Sequence, residues 1–288
     1  MHVSIRCLPT PSVSSSSICP STLTSRSTAI SGTPPFKCFK KRFVPQLGFE
    51  DSIRALLSLR ECPPHRPDLA KLVPDEDDAD DLIRYLKNAL PSLKSRPAIK
   101  KLIEENNLTD DDIMLLHSYK IETPYPLYKW FNAWLTVNRR DEQVQKNVGP
   151  FFTLFHQALL KLPRVTKNAN RAIRVNSIPS LKNVFDNYSS SWPVGKQLSF
   201  WGIASFSTDP DFNNRPVFVG GPNEEAFIYS CGALEGVYIE DFKPDGLPAE
   251  DEILPLCPMV SEIVSQFKLG KKVIVTIKQL PHEDYSYV

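Results

Sequence analysis

The stretch that decides the fold is "FWGIASFSTDP", Phe200 to Pro210. It reads as a buried strand that runs on, unbroken, into a turn carrying Ser205, Ser207 and Thr208. Hydroxyl residues at a strand end ordinarily bond the backbone of the turn. Their meaning depends on what lies on either side.

Downstream the chain stays rich in β signals. "PVFVGG", "EAFIYSCG", "GVYIEDF", "DEILPL", "EIVSQF" and "KKVIVTIKQL" are short, apolar and bounded by Gly, Pro, Asn or Asp. Upstream, "RAIRV" is the first such segment, and before Pro163 the period changes. "FEDSIRALLSL" spaces Phe49, Ile53, Leu56 and Leu57 as a helix does. "DEDDADDLIRYLKNAL" opens with acids, which suit a helix N-terminus, and lacks the glycine and glutamate of a calcium loop. "LTDDDIMLLHSYK" carries Thr109 and Asp112 at capping-box spacing. "PLYKWFNAWLTVNRR" aligns Leu127, Phe131, Trp134 and Leu135, and "GPFFTLFHQALLKLP" aligns Phe151, Phe152, Phe155, Leu159 and Leu162. His156 on that last helix reads as a partly exposed polar position. Helices first and strands last predict an α+β fold, with a helical part over 48–163 and a mainly antiparallel β-rich core over 164–288.

Residues 1–47 differ from the rest. Ten serines lie between Ser4 and Ser31, and no acid precedes Glu50. This is the composition of a transit segment and equally of a plain disordered tail, so organellar import and a cytoplasmic protein both stay open. The net charge of +1 gives no field that would favour nucleic acid or a membrane surface. No apolar run is long enough for a transmembrane helix. The six cysteines form no C-x-x-C pair and the five histidines are scattered, so no metal is expected. A Cys231–Cys257 disulfide is one option, with reduced thiols the default where no secretory signal is present.

Three short motifs bear on chemistry. The first is Arg174 in "RAIRV", with Arg171 as its nearest competitor. The second is the Ser205–Ser207 pair. The third is Glu250-Asp251-Glu252, running directly into apolar "ILPL". In a strand, residues two apart share a face, so Glu250 and Glu252 are expected to point one way and Asp251 the other. Two like charges on one face repel and need a cation or a use. Read singly, each motif has an ordinary structural explanation: a snorkelling arginine, a turn cap, a solvated edge.

Taken in order, they resemble the mono-ADP-ribosyltransferase family, in particular its arginine-specific branch with the R-S-E-x-E pattern. The resemblance covers roughly Leu108 to Leu280. "LTDDDIMLLHSYKIETPYPLYKWFNAWL" is similar to a family segment in which Tyr119, Tyr128 and Asn132 take the places of a "Y…lY…lN" pattern. "WGIASFSTDP" is similar to the family's F-x-S-T-S strand end, and "EDEILPLCP…SQF" to its E-x-E strand pair. The resemblance implies a split-sheet core that uses NAD as cosubstrate, needs no metal, and transfers ADP-ribose to an exposed arginine of an acceptor protein as nicotinamide leaves. It gives Arg174 the dinucleotide, Ser205 the nicotinamide ribose and the second glutamate, Glu252 the catalytic carboxylate, and Glu250 the acceptor guanidinium. Ser207 and Phe212 join the NAD pocket, Phe212 as a ring to stack on nicotinamide, and Phe242 is a candidate contact to the acceptor. The chain departs from the pattern at Ile173 and Val175, which flank Arg174 where the family has an aromatic and a glycine, and at Phe206. An NAD glycohydrolase, with water as acceptor, and a binding module on the same fold are the alternatives. A monomer is expected.

Overall fold

The sheet is built around one long strand that the sequence reads as two. In the computed structural model of the chain, "AFIYSCG" and "GVY" belong to a single strand, Ala226–Tyr238. The structure describes residues 46–63, 67–135, 141–178, 181–200, 202–247, 249–256 and 259–281. All of these belong to one compact unit, Lys37–Val288. The serine-rich segment therefore lies, up to residue 45, outside the described residues, as does Cys257. Cys231 is a buried free thiol.

The helical half follows its apolar periodicity. It comprises α1 (Phe49–Leu57), α2 (Asp78–Ser95), α3 (Pro97–Asn106), α4 (Asp110–Ser118), α5 (Leu127–Leu135) and α6 (Glu142–Lys161). α3 starts on Pro97, whose missing N–H costs nothing in the first turn. The capping box at α4 is complete: Thr109 accepts from the Asp112 N–H, and Asp112 accepts from the Thr109 N–H at 2.7 Å. Phe131, Phe151 and Phe155 pack ring against ring in a fully buried cluster. His156 departs from expectation: it is buried at 5% exposure, with its ring stacked on Phe152.

The β-rich half holds seven strands among the described residues: β1 (Arg164–Arg174), β2 (Gln197–Phe200), β3 (Phe206–Ser207), β4 (Ala226–Tyr238), β5 (Glu252–Leu254), β6 (Met259–Leu269) and β7 (Lys272–Gln279). Their order is β1-β3-β5-β4-β7-β6-β2, and β1 also pairs with β4. All pairings are antiparallel except β4 with β7. The early half of β4 carries β7, and its last two residues carry β5. β1, β3, β5 and β4 thus close a small ring of strands at one end of the sheet. Gly236 lets β5 cross closely there, because a Cβ at this position would sit 2.6 Å from the Leu254 carbonyl oxygen.

Two expectations are corrected. The run from Phe200 to Ser207 is not one strand. β2 pairs with β6 at one edge of the sheet, while β3 pairs with β1 and β5 near the other, and the chain crosses between them. "PVFV" is not a strand but a helical turn, α9, Pro216–Val219, started by Pro216 and closed by Gly220 at φ +74°. Two further short helices, α7 (Leu181–Asp186) and α8 (Tyr188–Ser191), lie between β1 and β2.

Candidate active site

The crossing segment between β2 and β3 is held by the helical half. Tyr119, the residue that ends α4, donates its hydroxyl to the Ile203 carbonyl at 2.9 Å. Asn132 of α5 accepts from the Ile203 N–H at 2.7 Å and donates to the Tyr119 hydroxyl at 3.3 Å. Gly202 fits against this clamp, since a Cβ there would lie 3.0 Å from Asn132 Oδ1. The backbone so fixed presents the Ser205 carbonyl to Arg171, which donates Nη1 to it at 2.6 Å.

The hydroxyl-rich turn then holds the acidic triplet. Ser207 pairs in register with Glu252, and its Oγ donates to the Glu250 carbonyl at 2.6 Å. The Thr208 N–H donates to the Asp251 carbonyl at 2.9 Å. The triplet is not a regular strand. β5 begins only at Glu252, and Asp251 is left-handed at φ +48°, a conformation aspartate tolerates better than most residues. The two glutamates converge because the backbone kinks between them, not because a pleat alternates.

They converge on Lys120. Its ammonium donates to Glu250 Oε2 at 3.0 Å and makes a short bond to Glu252 Oε2, with Glu240 Oε2 at 3.8 Å. Lys120 and Glu252 are almost wholly buried, at 6% and 7% side-chain exposure, whereas Glu250 is 46% exposed. Burial pulls the Lys120 ammonium down, but Glu252 and Glu250 more than offset it and raise its pKa above the ordinary lysine value. Burial raises the Glu252 carboxyl above its ordinary value, against the opposing pull of Lys120 and the Ser205 hydroxyl. Glu240 is lowered: burial raises it, and Lys243 and Lys120 outweigh that.

Lys120, Glu250 and Glu252 line one cleft of about 560 Å³, which also takes in Ser205, Ser207, Phe212, Tyr119, Asn132 and Arg171. Phe212 is buried and stacks on Phe218 at 4.9 Å, and both rings face the cleft. Arg174 is not among the lining residues. β1 stays in register with β4 from Ala169 to Arg174, so Arg171 and Arg174 leave opposite faces. The Arg174 guanidinium bonds the Val217 carbonyl of α9. Arg171 Nε is buried and has no hydrogen-bond partner among the described residues. Burial lowers the Arg171 pKa against the opposing pull of Tyr119, Tyr229 and Glu252, yet a guanidinium stays protonated in proteins. Phe242 is also corrected: it is fully buried in the helical core and does not reach a surface.

The structure places Ser205, Ser207, Phe212, Glu250 and Glu252 on this cleft together with Arg171 and, without any expectation from the sequence, Lys120. No local pattern marks Lys120, which lies 130 residues from Glu250 in the chain. Among the described residues no cluster of His, Cys, Asp and Glu is placed to hold a metal ion, and no helix is long and apolar enough to cross a membrane.

No family model matches the sequence, and no curated protein matches it. Similar solved structures include the type III effector XopAI from Xanthomonas axonopodis pv. citri, 11% identical, covering 83% of this chain and 86% of that one with a TM-score of 0.53. They also include the ADP-ribosyltransferase HopU1 of Pseudomonas syringae pv. Tomato DC3000, 18% identical, covering 72% and 98%, with a TM-score of 0.49. Vis, an ADP-ribosyltransferase from Vibrio splendidus, is 14% identical and covers 73% and 94%, with a TM-score of 0.47. At these identities the likeness is one of fold alone.

Proposed function

We propose that the chain transfers ADP-ribose from NAD to an arginine side chain and releases nicotinamide. One observation carries the reading: Arg171, Ser205, Glu250 and Glu252 line a single cleft, backed by Tyr119 and Asn132. In this reading the bond between nicotinamide and its ribose breaks, the electron pair leaves with nicotinamide, and positive charge grows on the ribose. Glycosidases meet such charge with carboxylates. Glu252 supplies that negative potential and bonds a ribose hydroxyl, and Ser205 positions both.

Arg171 takes the role that the sequence resemblance gave to Arg174. Its unpartnered Nε suits an anionic group, because a guanidinium fork makes charge-assisted bonds worth about 1.5–3 kcal/mol each. Ala172 follows it, a small residue that leaves room for a phosphate to approach the backbone. Phe212, on its cleft-facing side, offers a ring to nicotinamide. Glu250, half exposed at the mouth, receives the acceptor's guanidinium. The new bond forms between the acceptor nitrogen and the ribose carbon that nicotinamide leaves, as an N–H bond of that nitrogen breaks and its proton passes to the solvent at the mouth. The acceptor of this reading is a protein with an exposed arginine. Agmatine, the molecule bound in one structure of Vis, is its small mimic.

NAD hydrolysis is the second reading, favoured by one feature: Glu250 is already bonded to Lys120. Incubation with NAD labelled in its ADP-ribose part, with and without agmatine, separates the two. Label on agmatine is expected; label only in free ADP-ribose supports hydrolysis, and intact NAD throughout ends both.

A further inference from the structure

Lys120 lines the cleft at its acidic centre, and the proposed chemistry gives it no task. It issues from the end of α4, reaches into the cleft beside Tyr119, and binds Glu250 and Glu252 together. The charged and titratable groups facing it come from every neighbouring element. Glu240 and Lys243 lie on the turn after β4, joined to each other at 2.8 Å. Glu250 and Glu252 lie at β5, Arg171 on β1, Glu122 on the segment after α4, and Tyr128 on α5, all lining the same cleft. Without a cation here, two carboxylates two residues apart would repel, one of them buried.

If Glu250 receives an acceptor guanidinium, the place it would occupy already holds an ammonium. We infer that Lys120 is a specificity-determining residue: an internal ammonium seated between Glu250 and Glu252 that only a guanidinium displaces. The inference rests on the proposed role of Glu250. An ammonium is a point charge, whereas a guanidinium offers a planar fork that pairs two N–H groups with one carboxylate. Exchanging Lys120 for an incoming lysine gains nothing at Glu250, since one ammonium replaces another. Exchanging it for an arginine gains the second, paired bond. Lys120 therefore excludes lysine-type acceptors by occupying their seat. Its raised pKa agrees with this role: it stays charged, and so serves as a competitor and not as a nucleophile.

The test is direct binding of agmatine and of 1,5-diaminopentane, an ammonium counterpart of similar length, measured by calorimetry on wild type and Lys120→Met. Wild type is expected to prefer agmatine about ten-fold or more. Lys120→Met is expected to bind both ligands more tightly, by about ten-fold or more, so that the diamine is no longer held off by the ammonium in its seat. A diamine affinity that is the same in the two proteins overturns the inference. If Lys120→Met does not fold, the wild-type lysine ammonium resonances decide, with Lys120 assigned by its loss in Lys120→Arg. Agmatine should shift the Lys120 signal and the diamine should not, and equal behaviour of the two ligands overturns the inference. Nicotinamide release from NAD is measured alongside. Its absence in every variant, with the binding preference intact, would refute the transferase reading and leave the seat of Lys120 standing.

Discussion

Arg171 donates to the carbonyl of Ser205 across 2.6 Å, and this bond joins the strand that presents the cation to the segment that presents the hydroxyl. Arg174, three residues on, faces away and ties β1 to α9. The two arginines therefore make opposite predictions. Arg171→Ala should raise the NAD KM about ten-fold or more, because it removes the charge-assisted bonds that the proposed role gives this guanidinium. Arg174→Ala should leave NAD affinity within about three-fold and act, if at all, on stability through the lost tie to α9. Titrating NAD into both variants checks this. An Arg174→Ala defect as large as that of Arg171→Ala would return the dinucleotide to Arg174.

The glutamates separate by exposure. Glu252 is buried against Lys120 and Ser205, while Glu250 is half exposed at the mouth. In the proposed reaction Glu252→Gln takes away the negative potential at the ribose and should slow nicotinamide release on the order of 10²–10³-fold. Glu250→Gln should keep nicotinamide release and lose transfer to agmatine. Measuring nicotinamide and ADP-ribosyl-agmatine in the same reaction reads both effects. Loss of both products in Glu250→Gln would merge the two roles.

How much of this was legible follows physical lines. The helical half could be read because burial repeats with the helical period: Phe151, Phe152 and Phe155 declare their face, and Thr109 with Asp112 marks the start of α4. The hydroxyl turn and the acidic triplet could be found because each is contiguous in the chain. Register could not. Whether Arg171 or Arg174 points into the cleft depends on strand parity, which "RAIRV" alone does not reveal, although the small Ala172 after Arg171 was a usable signal. The break between β2 and β3 is set by bonds from Tyr119 and Asn132, so an apolar run hides it. "PVFV" has β-type residues, yet Pro216 and Gly220 mark the ends of a helical turn. Lys120 had no signal at all, because its partners lie far along the chain.

The clamp on the crossing segment should act on rate more than on folding. Tyr119→Phe keeps the ring packed against Phe155 and removes only the bonds through the hydroxyl. About 1 kcal/mol of stability is at stake. Because Ser205 lies two residues from the released carbonyl, the proposed reaction should lose kcat with little change in the NAD KM. Steady-state kinetics beside a urea titration separates these effects. A stability loss with unchanged kcat would make the clamp purely structural.

Gly236 tests the ring of strands. Its missing side chain lets Leu254 and Ile253 of β5 approach, and a methyl group there would lie 2.6 Å from a backbone oxygen. Backbone yields less easily than a flexible side chain, so Gly236→Ala should destabilise by about 1–3 kcal/mol. It should also disturb the placement of Glu252, the first residue of β5. A lowered Tm together with reduced nicotinamide release is expected. An unchanged Tm would show that β4 and β5 are free to part.

His117 makes stability depend on pH. Its ring is buried, stacks on Tyr85, and its Nδ1 donates to the Phe242 carbonyl at 2.5 Å, which ties α4 to the turn before the acidic triplet. Burial lowers its pKa; the bond to Phe242 opposes that, Arg96 adds to it, and Asp245 opposes it. The folded value thus lies below the ordinary 6.5. Below that pH the unfolded chain binds a proton that the folded chain refuses, so stability falls as the pH drops from 6.5 toward the folded value, and is fully present above 6.5. His117→Phe keeps a buried ring and cannot titrate. Urea midpoints taken at about pH 7.5 and about pH 5.5 should therefore fall on acidification in wild type and fall less in the variant. An equal fall in both proteins would assign the acid sensitivity to other groups.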